Sequence, residues 1–227
     1  MKIFAIYSSK KVKFTKLLID LILLFFLAPL TSYPLGYFII AAGFLITNLI
    51  VINTLSLSKK WFYSLIILAI LAFVFDLIYF QHFPIITQAT SILAHLFYVI
   101  FMLIAILAIG SRIFTQTKVD IDIINGGICI FLLLGFLWYN LYNIILSIDP
   151  NALGGISLSS IGEKDFTILY YSFTTITTLG YGDIVPVNKF LMTLANAEAI
   201  VGLMYPSIFI ARLMSLYTTQ ADNDPES

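Results

Sequence analysis

The chain has few charged residues and almost no cysteine. Charged side chains make up 11% of its 227 residues, against about 25% in an average soluble domain. Twelve basic and twelve acidic residues cancel, so the sequence lacks the basic surface that nucleic-acid binding requires. The single cysteine, Cys129, excludes an internal disulfide and a cysteine-based zinc site. These absences exclude a soluble enzyme and a nucleic-acid-binding protein, and no cofactor is expected.

Apolar residues are abundant instead. Hydrophobic side chains make up 60% of the chain, and the mean hydropathy is +1.01. A membrane-spanning helix needs about 20 mostly apolar residues. Six segments reach or approach this length: Leu17–Leu30, Leu35–Leu57, Trp61–Phe80, Ile85–Gly110, Ile123–Ile148 and Phe190–Tyr217. Because the alternating pattern of a membrane β-barrel is absent, the sequence predicts an all-α membrane protein with six spans.

The basic residues predict the orientation of these spans. Ten of the twelve lysines and arginines lie on the same side of the membrane as the start of the first span. Only Lys164 and Lys189 lie on the opposite side. The positive-inside rule therefore places both termini in the cytoplasm and residues 149–189 outside. A signal peptide also begins with basic and then apolar residues, but no small-residue cleavage site follows here. We expect a multi-pass protein of the plasma membrane.

The segment between the last two spans differs from the others. Residues 165–177 are apolar but too few to cross a bilayer of about 30 Å as a helix, which predicts a re-entrant half-helix with Asp165 capping its start. The sequence Thr-Leu-Gly-Tyr-Gly follows at 178–182. Alternating glycines permit a backbone whose carbonyls point the same way. Irregular backbone at membrane depth persists only where it is buried in protein or lines an aqueous path.

The run from Thr177 to Asp183, followed by Pro186, resembles the filter signature of the tetrameric potassium channel family. It is most similar to prokaryotic-type six-span members that resemble voltage-gated channels. The resemblance extends over residues 123–217. One filter strand cannot surround an ion, so the resemblance implies a homotetramer in membrane lipid with K⁺ as the permeant ion.

The resemblance also implies roles for individual residues. Thr178 would offer its carbonyl and hydroxyl to the innermost ion site, with further carbonyls lining the outer sites. The whole ion-binding filter would comprise Thr178, Leu179, Gly180, Tyr181 and Gly182. Thr177, Asp183 and Tyr170 would support it, the tyrosine by a hydrogen bond to the aspartate. Leu179 stands where valine is more usual, and we expect altered packing behind the filter without loss of selectivity.

The last span carries candidate gate residues. Gly202 occupies the position of the family's hinge glycine, and Pro206 removes a backbone hydrogen bond one turn later. The alternative for Gly202 is close helix packing, for which glycine is frequent in membrane helices. Ile210 and Met214 follow on the same face and would form an apolar gate. Glu198 resembles an acidic residue of many prokaryotic relatives, and it either faces the cavity or packs behind the filter.

The first four spans have the layout of a voltage sensor without its charges. The fourth, Ile85–Gly110, contains no lysine or arginine, so we expect weak or no voltage dependence. Two polar residues in this region, Asp76 and His95, either pair as a proton-sensitive element or make interhelical hydrogen bonds.

The predicted organisation has five parts. They are a cytoplasmic segment (1–16), a four-helix sensor-like domain (17–110), a cytoplasmic linker (111–122), a pore domain (123–217) and a cytoplasmic tail (218–227). The expected function is passive K⁺ conduction and not catalysis. Two alternatives are a non-selective cation channel of the same fold and a membrane sensor or regulatory subunit that does not conduct. A potassium-uptake transporter fits less well, because it carries four filter-like repeats and this chain has one.

Overall fold

The computed structural model describes residues 14–54, 59–80, 87–155 and 161–223. The basic residues at 2, 10, 11 and 13 and the last four residues of the predicted tail lie outside these ranges. Within them the chain is almost entirely helical, as the composition predicts. Seven α-helices are present: α1 (Phe14–Leu27), α2 (Pro34–Thr54), α3 (Lys59–Phe80), α4 (Thr87–Thr115), α5 (Ile121–Ile148), α6 (Ile161–Ile176) and α7 (Lys189–Asn223).

Three short elements complete the described chain. A 3-10 helix, Ala28–Ser32, follows α1, and proline in its first turn suits a position where no backbone donor is needed. Strands β1 (Leu153–Gly154) and β2 (Val185–Pro186) form an antiparallel pair. This pair ties the loop after α5 to the segment that precedes α7.

Five of the described helices are long and apolar enough to cross a membrane. These spans are Phe14–Thr31, Leu35–Asn53, Gln88–Thr115, Ile121–Ile148 and Lys189–Thr218. The apolar part of α3, Phe62–Ile78, is shorter. The molecule is therefore an all-α, multi-pass membrane protein.

Helix α5 lies at the centre of the packing and contacts α1, α4, α6 and α7. Its side chains Leu133, Phe136 and Tyr142 are fully buried. Close approach depends on glycine, because a Cβ on Gly127 would lie 2.0 Å from the Phe209 ring of α7. Glycine at position 127 of α5 therefore allows α7 to approach closely.

Three helix boundaries differ by four or more residues from the sequence prediction. Helix α7 continues to Asn223, six residues into the predicted tail. Helix α4 continues to Thr115, so the linker to α5 is shorter than predicted. A physical reason is that Arg212 donates to Phe114 O (2.9 Å) and Gln116 O (2.8 Å), which satisfies carbonyls at the end of α4. Helix α6 begins at Ile161, four residues before the predicted start.

Candidate functional site

The site is built around α6, which packs against α5 through small groups. A Cβ on Gly135 of α5 would lie 2.6 Å from the Phe173 ring, so only glycine leaves room for this aromatic side chain. The neighbouring Ser172 Oγ lies 2.8 Å from Gly135 O and donates either to this carbonyl or to Glu198 of α7. These contacts fix the position of the helix that leads into residues 177–183.

The prediction that Asp165 caps the start of α6 is wrong. Because the helix begins at Ile161, Asp165 lies in its second turn, where the backbone amides already bond to the preceding turn. The side chain is 6% exposed, and its Oδ1 has no hydrogen-bond partner among the described residues. Glu163 is the acidic residue of the first turn.

The end of α6 is fixed by backbone hydrogen bonds. Thr178 N donates to Thr175 O at 2.9 Å, and both Leu179 N (2.9 Å) and Gly180 N (3.1 Å) donate to Thr174 O. Thr178 has a φ of 57°, the left-handed conformation in which many helices end. Residues 178–180 are therefore positioned directly by hydrogen bonds to the end of α6.

The next residues alternate in backbone hand. The φ angles are 57° at Thr178, 46° at Gly180 and 81° at Gly182, whereas Leu179 and Tyr181 between them have negative φ. Glycine adopts positive φ without steric cost, which explains two of the three positions. A Cβ on Gly180 or Gly182 would meet no atom within 4 Å, so conformation and not space requires glycine here.

A hydrogen bond and a ring stack support the outer end of this segment. Tyr170 Oη of α6 donates to Asp183 Oδ2 at 2.8 Å. This bond to a carboxylate is the main reason why the pKa of Tyr170 is raised. The Tyr170 ring also stacks on Tyr181 with 6.3 Å between centroids. Thr177 bonds back to α6 through Oγ1, 2.6 Å from Phe173 O.

The loop after α5 contacts the residues that follow the segment 178–182. Gly155 has a φ of 85°, and a Cβ there would lie 2.1 Å from Asp183 O. Val187 N donates to Ala152 O at 2.8 Å beside the β1–β2 pair. Asn188 then accepts from Leu191 N at 2.7 Å and caps the first turn of α7. No function was predicted for this loop, yet it contacts residues 183–187 of the segment between α6 and α7.

Gly202 of α7 lies against the end of α6. Helix α7 continues through Gly202 and Pro206, although proline has no N–H to donate to the Gly202 carbonyl. A Cβ on Gly202 would lie 1.8 Å from Ile176 O. The structure therefore gives Gly202 a role in close packing, and its role as a hinge stays a prediction.

Helix α7 has one packed face and one uncovered face. Tyr205 Oη donates to Gly127 O at 2.8 Å, and the Tyr205 and Phe209 rings stack on each other. The predicted gate residues Ile210 and Met214 are exposed in the single chain, as is Leu203. Their role in a gate stays a prediction.

Glu198 of α7 is fully buried between three helices. Its Oε2 accepts from Tyr142 Oη of α5 at 2.5 Å, and its Oε1 lies 2.7 Å from Ser172 Oγ of α6. Of the two positions that the sequence left open, the structure has the one behind α6. Neither Tyr142 nor Ser172 carries a sequence signal for this contact, since they are distant in the chain and common in membrane helices.

Asp76 and His95 do not pair with each other. Asp76 accepts from Tyr37 Oη at 2.7 Å, and His95 Nδ1 lies 2.8 Å from Asn140 Oδ1. The interhelical alternative is the one that the structure has. Among the described residues, no group of three or more His, Cys, Asp or Glu side chains has the geometry to hold a metal ion.

The geometry agrees with a comparison to known protein families. Residues 127–219 match the model of a family described as an ion channel. The match runs from α5 through α6 and the segment at 177–183 into α7, and it supports ion-channel activity. No curated protein matches the chain, and no solved structure matches it.

Proposed function

We propose that the chain is one subunit of a homotetrameric, potassium-selective channel whose filter is Thr178–Gly182. The observation that supports this most strongly is the alternation of φ along the filter. In a strand, successive carbonyls point to opposite sides, whereas inverting φ at every second residue turns them to one side. Four such rows of carbonyl oxygens around an axis replace the water shell of a K⁺ ion.

Exposed surface next to the filter supports assembly from several copies. Leu179 and Tyr181 are 55% and 67% exposed, and both line an apolar groove of about 470 Å³. Irregular backbone cannot face lipid, because its polar groups would have no partners there. Further copies of the chain would bury the groove and the uncovered face of α7, and the filter would then face an aqueous axis.

The positions of the other site residues fit roles within such a pore. Tyr170 and Asp183 would hold the outer end of the filter, while Thr177 is anchored to α6. The exposed Ile210 and Met214 would narrow the inner mouth. Glu198 would position α6 from behind and would not attract ions, since it is fully buried in the chain.

The same proposal covers topology and gating. Six crossings, with α3 as the third, place both termini in the cytoplasm at the plasma membrane, in agreement with the distribution of basic residues. Helix α4 carries Arg112 near its end and no other lysine or arginine, so the channel would respond weakly or not at all to voltage.

The test is potassium flux through purified protein in liposomes, with sodium competition and barium block. Gly180→Ala places a side chain at positive φ, which costs about 1–2 kcal/mol per residue and applies four times in a tetramer. We expect selective, barium-blocked flux that this variant abolishes. Gly110→Ala is the control, because a Cβ there meets no atom nearer than 3.9 Å.

Each other result contradicts part of the proposal. Equal sodium and potassium flux would indicate a non-selective channel of the same fold. Absence of flux at every voltage would favour a non-conducting regulatory subunit. Flux that survives unchanged in Gly180→Ala would refute the position of the filter.

A further inference from the structure

A small cavity lies among buried side chains beside Asp165, near the start of α6. Its volume is about 30 Å³, which is enough for one or two water molecules. Polar side chains from six elements line it: Thr31 of the 3-10 helix, Tyr37 of α2, Asp76 of α3, His95 and Tyr98 of α4, Tyr139 and Asn140 of α5, and Asp165 of α6. Such a polar space within a membrane protein suits water better than lipid.

Two polar atoms in this cavity have no hydrogen-bond partner within the described parts of the chain. They are Asp165 Oδ1 and Tyr98 Oη. The two side chains are only 6% and 4% exposed. Buried polar atoms without partners are rare in folded proteins and usually indicate bound water. Both atoms without partners therefore indicate bound water, for which the cavity has enough room.

The cavity also brings two carboxyl groups together. Asp76 accepts a hydrogen bond from Tyr37, and its charge acts on Asp165. Burial, and then the charge of Asp76, raise the pKa of Asp165 to about 7, while Lys164 acts in the opposite direction. Two buried carboxylates side by side are unfavourable, and a single proton relieves the repulsion.

Few positively charged groups lie near Asp76 and Asp165. One lysine, the adjacent Lys164 of α6, acts on Asp165. The remaining titratable groups around the cavity are Tyr37, His95, Tyr98 and Tyr139. The imidazole of His95 bonds to Asn140 and to neither carboxyl group in the contacts described above. One lysine cannot balance two carboxylates.

We propose that Asp76 and Asp165 form a hydrated proton-binding site, in which cavity water connects the two carboxyl groups and one proton is shared between them. Loss of the proton leaves two like charges between α3 and α6 and separates these helices. Because α6 leads directly into residues 177–183, the site couples external pH to conduction. The coupling rests on the proposed channel function, but the proton site does not.

Infrared difference spectroscopy on the purified full chain tests the site itself. In a Glu198→Gln background, which removes the buried carboxyl group of α7, we expect a protonated-carboxyl band that titrates between about pH 5 and pH 9 and that Asp165→Asn weakens and shifts. Asp76→Asn should move its midpoint to lower pH, since the neighbouring charge is lost. Glu163→Gln, which removes an exposed carboxyl from the same helix, should leave the band unchanged. A band that persists unaltered in both aspartate variants would overturn the proposal.

Liposome flux at varied external pH tests the coupling. We expect flux of the unmodified chain to change across the same pH range. Asp165→Asn should show one pH-independent flux equal to that of the unmodified chain at low pH, and Glu163→Gln should keep the pH dependence. A conducting chain whose flux ignores pH would overturn the coupling. If no variant conducts, the infrared titration still decides whether the proton site exists, and only the channel proposal fails.

Discussion

Gly202→Ala tests whether the inner helix needs glycine for contact with α6. An added Cβ would lie 1.8 Å from Ile176 O and 2.7 Å from Ile176 C, whereas real Cβ atoms essentially never approach a neighbour within 3.0 Å. Both obstructing atoms belong to the backbone at the end of α6, so no side-chain rotation relieves the contact. The helices must separate just where the filter begins.

The expected cost follows from the matched variant Gly110→Ala. Both substitutions gain the same helix propensity of about 1 kcal/mol, so their difference isolates the contact. Overpacking of this kind costs about 1–3 kcal/mol per chain. For a chain of this size, such a loss lowers the melting temperature by roughly 2–12 °C.

The assay is thermal unfolding of the purified protein with potassium flux measured in parallel. We expect Gly202→Ala to melt below Gly110→Ala and to conduct less. If Gly202 acts only as a hinge, the two variants melt together and differ only in gating. Equal melting temperatures would therefore refute the contact argument.

Three further predictions follow from buried groups and backbone conformation. Glu198→Leu removes the carboxylate acceptor of Tyr142, while Ser172 Oγ still has Gly135 O, and should cost about 1–3 kcal/mol of unfolding free energy. Glu198→Gln keeps a carbonyl and should melt closer to the unmodified chain. Gly155→Ala combines positive φ with a contact on Asp183 O and should lower the melting temperature, unlike Gly110→Ala. The pKa of Asp165 rises on folding from 3.8 to about 7, so the folded chain binds the extra proton and stability should fall as pH rises between these values. Asp165→Asn should reduce that slope in melting temperature against pH, and the remainder belongs to the other buried carboxyl groups, Asp76 and Glu198.

The sequence predicts the helical architecture because long apolar runs have few alternatives in a membrane. Helix ends were predicted less well, because tertiary contacts decide them. The extension of α4 to Thr115 coincides with hydrogen bonds from Arg212, nearly a hundred residues later in the chain. The early start of α6 at Ile161 was likewise not predicted from the sequence.

The local features of the site were more accessible to sequence reasoning than its supports. Tyr170 and Asp183 were assigned to each other through a family resemblance, and the structure places their side chains 2.8 Å apart. The partners of Glu198 had no comparable signal. A buried acid in a membrane helix must find hydrogen-bond donors, but which helices supply them depends on packing.

Two buried carboxyl groups, Glu198 of α7 and Asp165 of α6, lie at different points along α6, the helix that leads into the proposed filter. Glu198 contacts Ser172 in the middle of α6, and Asp165 faces the cavity near its start. Glu198 joins α6 to α5 and α7 by hydrogen bonds, and the proposed cavity water would join Asp165 to side chains of α2, α3 and α4. A helix held at two points transmits displacement at either point to its end. Substitutions at Tyr142 or Tyr37, which lie far from residues 177–183 in the sequence, should therefore alter conduction through α6, whereas changes on exposed membrane-facing side chains should not.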